Sequence, residues 1–354
     1  MSAPPGAVEV AVFAPLRQTF HYLPPASGMP PCGSLVRVPF GRGERIGVVL
    51  AAPVAVTADT PRLKPVTEVI TTVPPLTPAQ LRLAHWAATY YQHPLGDVIA
   101  AALPGPVRRG IVTAPRALFQ WSLAPGGAEV LAELQRRAPR QASVLQRVAE
   151  RACTAEDFAM LDFDWRRAVR ELERKGHIVR ATASPTDVET SRDHAPELNP
   201  EQQLAVDAVI GAAGTFQVLL LHGVTGSGKT EVYLAAIADT LARGAQALLL
   251  VPEISLTQQM VSRLTRRFGR TVAVLHSAMS DTRRADVWLR CHRGEVGVLM
   301  GTRSAVWAPL PNVGLVVVDE EHDASLKQHD GFRYHARDVA IIRAQQLGVP
   351  IVLG

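Results

Sequence analysis

Residues 216–230 have the sequence FQVLLLHGVTGSGKT, in which an apolar run is followed by glycines, a lysine and a threonine. Residues 223–230 match the pattern GxxxxGK[ST], which holds phosphate groups where it connects a strand to a helix. The apolar run predicts a strand over residues 216–221, and the residues after the motif predict a helix that continues to about Ala242. This context favours a phosphate-binding loop over an ordinary glycine-rich turn.

The chemistry of this loop predicts an ATP and Mg²⁺ site. Glycines allow backbone amides to approach phosphates closely, and the helix N-terminus adds positive potential. Lys229 is expected to contact the β- and γ-phosphates, and Thr230 is expected to ligate Mg²⁺. The predicted nucleotide-binding residues of the loop are Gly223, Thr225, Gly226, Ser227, Gly228, Lys229 and Thr230.

A second motif, VVVDEEH at residues 316–322, ends an apolar run with acidic side chains. Asp319 is expected to hold Mg²⁺, and Glu320 to orient or deprotonate an attacking water. We expect this strand end to lie beside the phosphate loop at one edge of a parallel sheet. Alone, such a strand end is more often a solvated surface, so the prediction depends on both motifs. The predicted catalytic residues are Lys229, Asp319 and Glu320.

The fold class predicted for the chain is α/β. From residue 198 onward, predicted strands alternate with helices, and several strands are continuous Val and Leu runs, as in a parallel sheet buried on both faces. Three segments are predicted before this ATPase lobe of residues 198–354. The first is a small β-rich domain at 1–105, with strands at 8–13, 34–39 and 45–51 and a helix at 78–91. The second is a helical, winged-helix-like domain at 106–182. The third is a polar linker at 183–197.

Composition limits the class of protein. The chain has 354 residues, of which 47% are hydrophobic, so a sizeable core is expected. The net charge of +5 mildly favours a polyanionic partner. The three cysteines form no CxxC pair, which argues against a zinc ribbon and favours a reducing cytoplasm. No apolar stretch approaches the length of a membrane span, so neither a membrane location nor secretion is expected.

Taken together, the motifs resemble the primosomal protein N′ (PriA) family of replication restart helicases, within superfamily 2. The DEEH sequence is a variant of the DEAD/DEAH box. The stretches that carry the resemblance are TFHYLPP (19–25), RVPFGR (37–42), YYQHPLGDV (90–98), LNPEQ (198–202), GVTGSGKTEVYL (223–234), VPEISLTQQ (251–259), LHS (275–277), GTRSAVWAPL (301–310), VVVDEEHD (316–323) and YHARDVA (334–340).

The resemblance implies an ATP-dependent 3′→5′ DNA helicase that recognises stalled or branched forks for primosome assembly. Residues 198–354 would form a RecA-like lobe, and residues 1–105 would bind a DNA 3′ end. The implied cofactors are ATP and Mg²⁺. The implied partners are forked, 3′-ended and single-stranded DNA, a single-stranded DNA-binding protein and replicative helicase loading factors. The implied location is the bacterial cytoplasm, in association with the nucleoid.

Further residue roles follow from the resemblance within the lobe. Gln202 matches a glutamine that recognises adenine, although a helix-surface glutamine is the alternative. Arg303 matches a residue that contacts DNA phosphates, with a helix cap or salt bridge as the alternative. Phe332 and Tyr334 match an aromatic-rich loop that stacks on unpaired bases, and the alternative is that both are core residues. Leu326 stands where the family usually has tyrosine, and Phe332 where it usually has tryptophan.

In the first domain, the resemblance assigns a pocket for the DNA 3′ end to Phe20, His21, Gly41 and Lys64. Phe20 would stack on the terminal base, although a core aromatic is equally compatible with the residue type. His21 stands where the family usually has aspartate. A separate cluster of arginines, Arg263, Arg266, Arg267 and Arg270, would either line the DNA path or form a solvated helix face.

The resemblance also implies a second lobe beyond Gly354, with the arginines that complete hydrolysis and a cysteine-rich zinc region. The chain is therefore expected to be a fragment that binds ATP and DNA but hydrolyses little ATP alone. The first alternative function is an adaptor that binds fork DNA, and also ATP, without unwinding. The second is a P-loop ATPase unrelated to nucleic acid, against which the GTRSA and aromatic-loop segments argue.

Overall fold

The computed structural model describes residues 6–54, 63–111, 119–150, 152–154, 158, 161–182, 197–224 and 226–354, excluding the side chains of Thr154, Thr182, Gln258 and Arg270. The chain divides into two compact units. Unit 1 comprises Met1–Val112 and Thr190–Gly354, and unit 2 comprises Thr113–Glu189. Among the described residues, no helix is long and apolar enough to cross a membrane.

Unit 1 begins with an antiparallel sheet of five strands in the order β2-β1-β4-β3-β5. The strands are β1 (Ala7–Val12), β2 (Phe20–Tyr22), β3 (Leu35–Phe40), β4 (Gly43–Val54) and β5 (Glu68–Ile70). Leu23 exchanges backbone hydrogen bonds with Lys64 and Val66, so the chain that leads into β5 also pairs with the end of β2. The sheet curls around a core rich in valine, a residue that favours strands. The three predicted strands are confirmed, with small shifts at their ends.

Three helices follow this sheet: α1 (Pro78–Tyr90), α2 (Leu95–Ala102) and α3 (Gly105–Arg108). Helix α1 begins with a capping box, in which Thr77 and Gln80 each bond the other's backbone amide, and Pro78 supplies a preset φ. The predicted helix at 78–91 is therefore confirmed.

The described part of unit 2 includes a three-stranded sheet and the helices packed with it. They are β6 (Phe119–Leu123), α4 (Leu131–Arg137), α5 (Pro139–Glu150), β7 (Cys153–Thr154), α6 (Trp165–Arg174) and β8 (Ile178–Thr182), with the strands in the order β7-β6-β8. Helix α6, a turn with Gly176 at a φ of +74° and strand β8 follow one another at the end of this unit. Trp121, Phe158 and Trp165 pack together in the core of this unit. The predicted linker lies outside the described residues except for Glu197.

The remainder of unit 1 is the predicted α/β lobe, which confirms the fold class. Its helices are α7 (Pro200–Gly211), α8 (Lys229–Ala242), α9 (Gln258–Phe268), α10 (Asp281–His292) and α11 (Ala336–Leu347). Its strands are β9 (Val218–Leu220), β10 (Gln246–Leu250), β11 (Val272–Leu275), β12 (Val298–Gly301), β13 (Val313–Val318) and β14 (Ile351–Leu353). All adjacent strands are parallel, in the order β11-β12-β10-β13-β14-β9.

Burial on both faces explains the apolar strands of this lobe. Every residue of β10 is buried, and so are the last four residues of β13. Strand β9 is shorter than the predicted strand at 216–221. It lies at the sheet edge with β14 as its neighbour, and Leu220 is 67% exposed there. The parallel arrangement brings the C-terminal ends of β9 and β13 to one edge of the sheet, where both sequence motifs begin.

Candidate nucleotide-binding and DNA-binding sites

The loop between β9 and α8 has the backbone that its glycines predict. Gly226 and Gly228 have φ values of +85° and +87°, which side-chain-bearing residues rarely adopt. A Cβ on Gly223 would lie 2.6 Å from Ser227 Oγ, and a Cβ on Gly228 would lie 2.2 Å from Gln202 Nε2. Thr225 lies outside the described residues. A Cβ at Gly223 or Gly228 would therefore displace a neighbouring side chain, and the left-handed backbone of Gly228 independently favours glycine.

Helix α8 starts directly at Lys229, and no side chain caps its N-terminus. The first amides of a helix have no partner within the helix, so this end offers donors and positive potential to an anion. Lys229 and Thr230 occupy the first two helical positions, and both are partly buried. This arrangement fits the phosphates of a nucleotide.

The acidic motif lies opposite this helix end. The backbone amide of Asp319 donates to the carbonyl of Leu250, so the strand pairing extends to the first acidic residue. Glu320 has a φ of +45°, a conformation that a side-chain-bearing residue adopts only where its surroundings hold it. Its carboxylate Oε1 lies 3.9 Å from Lys229 Nζ. The two motifs therefore meet as predicted, although β14 lies between their strands and the strands themselves are not neighbours.

Tyr233 is a site residue that the sequence analysis missed. Its hydroxyl donates to Asp319 Oδ1 at 3.2 Å. Burial raises the pKa of Asp319, and the bond from Tyr233 opposes that rise. Tyr233 lies four residues after Lys229, and this spacing places two side chains on one face of a helix. That spacing could have placed Tyr233 near the nucleotide site, but the sequence alone does not show that its hydroxyl bonds Asp319.

The residues present fit an ATP and Mg²⁺ site. Mg²⁺ is usually held by one or two protein oxygens together with substrate phosphates, so Thr230 and Asp319 suffice as protein ligands. Within the described part of the chain, no group of three or more His, Cys, Asp or Glu could hold a metal by itself. When bound, Mg²⁺ would neutralise charge on the phosphate oxygens.

Gln202 packs against the phosphate loop. Its Oε1 accepts from the amide of Asn199 at 3.0 Å, which completes a capping box at the start of α7. Its Nε2 donates to the carbonyl of Ser227 at 3.1 Å. Both ends of the amide therefore bond protein groups, and adenine recognition by Gln202 stays a prediction.

The predicted arginine cluster has a carboxylate partner. Glu231, in the first turn of α8, is 9% exposed and bonds both Arg263 and Arg267 of α9. These two arginines therefore connect α9 to α8, which neither proposed role of the cluster anticipated. The side chain of Arg270 lies outside the described residues.

Arg303 follows β12 at the same edge of the sheet. Its guanidinium donates to the carbonyl of Ser325 at 3.1 Å and to that of Lys327 at 3.5 Å. The side chain thus anchors the loop that contains the predicted aromatic residues. Contact with a DNA phosphate stays a prediction, and anchoring is what the structure shows.

The aromatic side chains of the loop that contains Phe332 and Tyr334 are buried. Phe332 and Tyr334 are 4% and 6% exposed, and Leu326 is fully buried. The rings of Phe332 and Tyr334 stack on each other with centroids 5.1 Å apart, and Trp307 packs against both. Both rings therefore lie in the core here, in agreement with the core alternative, and stacking on unpaired bases stays a prediction.

The residues predicted for a DNA 3′ end lie around β2. Phe20 is partly exposed, and its ring meets that of Phe40 edge-on at 5.2 Å, directly before Gly41. A Cβ on Gly41 would meet nothing within 4 Å, so that turn is open. His21 and Lys64 are exposed, and the Lys64 carbonyl bonds the amide of Leu23 just after β2. The structure leaves part of Phe20 accessible, as a stacking role requires.

Known protein families match both the N-terminal domain and the α/β lobe of this chain. Residues 9–104 match the family model of the PriA 3′ DNA-binding domain, and residues 199–349 match that of the DEAD/DEAH box helicases. Replication restart protein PriA of Haemophilus influenzae is 37% identical over 359 residues, which cover 98% of this chain and 48% of that protein. The Chlamydia pneumoniae protein of the same name is 33% identical over 335 residues, which cover 91% of this chain and 44% of that protein.

The chain belongs to the PriA family. Similarity is higher locally: Replication restart protein PriA of Bacillus subtilis is 54% identical over 138 residues, which cover 39% of this chain and 17% of that protein. The chain spans about half the length of the first two PriA proteins. The chain thus has both a helicase-type lobe and a PriA-type 3′ DNA-binding domain.

Proposed function

We propose that this chain forms the DNA-end-binding and first ATPase portion of a 3′→5′ DNA helicase that restarts replication at stalled or branched forks. The observation that carries the proposal is the meeting of Lys229 and Glu320 at an uncapped helix N-terminus. PriA relatives of about twice the length support the idea that further sequence completes the enzyme.

The proposed roles at the nucleotide follow from position and charge. Lys229 would contact the β- and γ-phosphates, and Thr230 and Asp319 would ligate Mg²⁺. Glu320 would orient the attacking water, because its left-handed backbone turns its carboxylate toward Lys229. Fork recognition by the PriA 3′ DNA-binding domain would place single-stranded DNA on the lobe. A single-stranded DNA-binding protein and helicase loading factors, in the bacterial cytoplasm at the nucleoid, are the proposed cellular context.

A second candidate is an adaptor that binds fork DNA and ATP without unwinding. The burial of Phe332 and Tyr334 favours it, because the rings expected to couple DNA binding to hydrolysis are not on the surface. The intact set of Lys229, Thr230, Asp319 and Glu320 favours the helicase. The two candidates differ in whether Glu320 has a chemical task.

Single-turnover hydrolysis of ATP in the presence of forked DNA tests the helicase proposal. We expect slow but measurable hydrolysis, since an arginine supplied from elsewhere typically contributes about 10³–10⁵ in rate. Glu320→Gln should retain nucleotide binding and abolish that hydrolysis. Equal hydrolysis by Glu320→Gln and the parent chain would contradict the assigned role. Nucleotide binding with no hydrolysis by either protein would favour the adaptor.

A further inference from the structure

Side chains of the turn that follows α1 contact the loop that contains Phe332 and Tyr334. The ring of Phe332 lies 5.8 Å from that of Tyr91 and 5.1 Å from that of His93, between ring centroids. The Tyr91 hydroxyl also accepts a hydrogen bond from the backbone amide of His335 at 3.1 Å. Two side chains on one turn therefore contact one short segment of the lobe.

The backbone between these two side chains is strained. Gln92 has a φ of +52°, which is costly for a residue with a long side chain. It is held there from two sides: its Nε2 donates to the carbonyl of Thr89 at 2.7 Å, and its own carbonyl accepts from Arg17 at 3.2 Å. Such a conformation persists only where the surroundings fix it, and here it directs Tyr91 and His93 to the same ring.

On the DNA-end side, the contacts begin close to the predicted pocket. Arg17 lies in the loop between β1 and β2, three residues before Phe20. That loop also contains Thr19, whose hydroxyl donates to Glu9 at 2.7 Å. A change in this loop on DNA binding would therefore act on Gln92 through the Arg17 hydrogen bond.

On the nucleotide side, the contacts end at the acidic motif. His335 caps α11, and its Nδ1 accepts from the amide of Arg337 at 3.3 Å. Arg337 in turn bonds Glu321 at 2.7 Å, and Glu321 is the neighbour of Glu320. Tyr91 thus bonds the N-cap residue of α11, and α11 contacts the acidic motif through Arg337 and Glu321.

We propose that Tyr91 is a positioning residue that couples occupancy of the 3′-end pocket by DNA to the affinity of the nucleotide site. The proposal rests on the function proposed above, because it requires both ligands to bind. Coupling between two sites is reciprocal and is measured as the factor by which one ligand changes the affinity for the other. A contact that serves stability alone would leave this factor unchanged.

The test titrates a fluorescent ATP analogue with Mg²⁺ into the chain, with and without a saturating 3′-hydroxyl oligonucleotide. We expect the oligonucleotide to change the analogue affinity by about 5-fold or more in the parent chain, the lower end of typical couplings. Tyr91→Phe removes the acceptor oxygen and keeps the ring, and it should bring the factor close to one. Each ligand alone should still bind as it does to the parent.

Two further variants keep the test decisive. Tyr90 is the neighbouring, exposed tyrosine, so Tyr90→Phe is a matched control that should retain the coupling. Arg17→Ala lies at the exposed end of the contacts and should reduce the coupling without disturbing the core. Unchanged coupling in Tyr91→Phe would overturn the inference, whatever the result for Arg17→Ala. So would a parent chain that binds both ligands independently, and in that case the proposed function would stand; failure of the parent to bind either ligand would contradict both.

Discussion

Replacing Phe332 with alanine separates the core position of this ring from a DNA-stacking role. The ring is 4% exposed and contacts the rings of Tyr91, His93, Trp307 and Tyr334. Phe→Ala at buried sites costs about 3–5 kcal/mol, through lost burial and the cavity that remains. A base-stacking aromatic would instead contribute about 1–3 kcal/mol per base, or roughly 5- to 150-fold in DNA affinity, with little effect on folding.

Urea denaturation and fluorescence anisotropy with single-stranded DNA distinguish these outcomes. We expect Phe332→Ala to lower the free energy of unfolding by about 3–5 kcal/mol and to leave DNA affinity unchanged where the protein is folded. Phe332→Leu serves as a control, because it retains an apolar side chain without a ring and should cost less stability. A tenfold loss of DNA affinity in both variants, with unfolding unaffected, would refute the core position.

Three further outcomes are expected. Burial raises the pKa of Asp319, so its carboxylate should become protonated, and Mg²⁺-dependent nucleotide binding should be lost, at a higher pH than for an ordinary aspartate. The hydrogen bond from Tyr233 opposes that rise, so in Tyr233→Phe the loss should occur at a still higher pH. Affinity for the ATP analogue, measured over a pH series, checks both outcomes. Glu231→Ala removes the carboxylate partner of the mostly buried Arg267, whose side chain is 17% exposed, so it should cost about 2–3 kcal/mol in urea denaturation. Arg263→Ala, at 46% side-chain exposure, should cost under about 1 kcal/mol. Binding of a 3′-hydroxyl oligonucleotide should exceed that of its 3′-phosphate form, and Phe20→Ala should weaken this preference if the ring stacks on the terminal base.

The nucleotide site was predictable because its determinants are local. The glycine pattern, the apolar run before it and the helix after it lie within one short stretch, and each has few structural alternatives. The acidic motif was predictable by the same logic, since strand ends of a parallel sheet share one edge. Strand order was less accessible, because the apolar sequence of β14 does not reveal that it lies between the two motif strands.

The remaining features depend on contacts between distant parts of the chain. An aromatic residue type is equally compatible with base stacking and with a core. Phe332 is buried among the rings of Tyr91, His93, Trp307 and Tyr334, which come from distant parts of the chain. Glu231 follows the phosphate loop as an unremarkable helical residue, and its arginine partners lie on another helix. The strain at Gln92 has no sequence signature, since glutamine has no preference for a left-handed backbone.

The assigned nucleotide site requires that the loop before α8 bind ATP through Lys229. Equilibrium titration of a fluorescent ATP analogue with Mg²⁺ tests this requirement, using the parent chain, Lys229→Ala, and Lys175→Ala as a control at an exposed lysine of unit 2. Loss of a charge-assisted bond worth about 1.5–3 kcal/mol should weaken binding by roughly 10- to 150-fold in Lys229→Ala and leave the control unchanged. Equal affinity of Lys229→Ala and the parent chain would contradict the assigned nucleotide site.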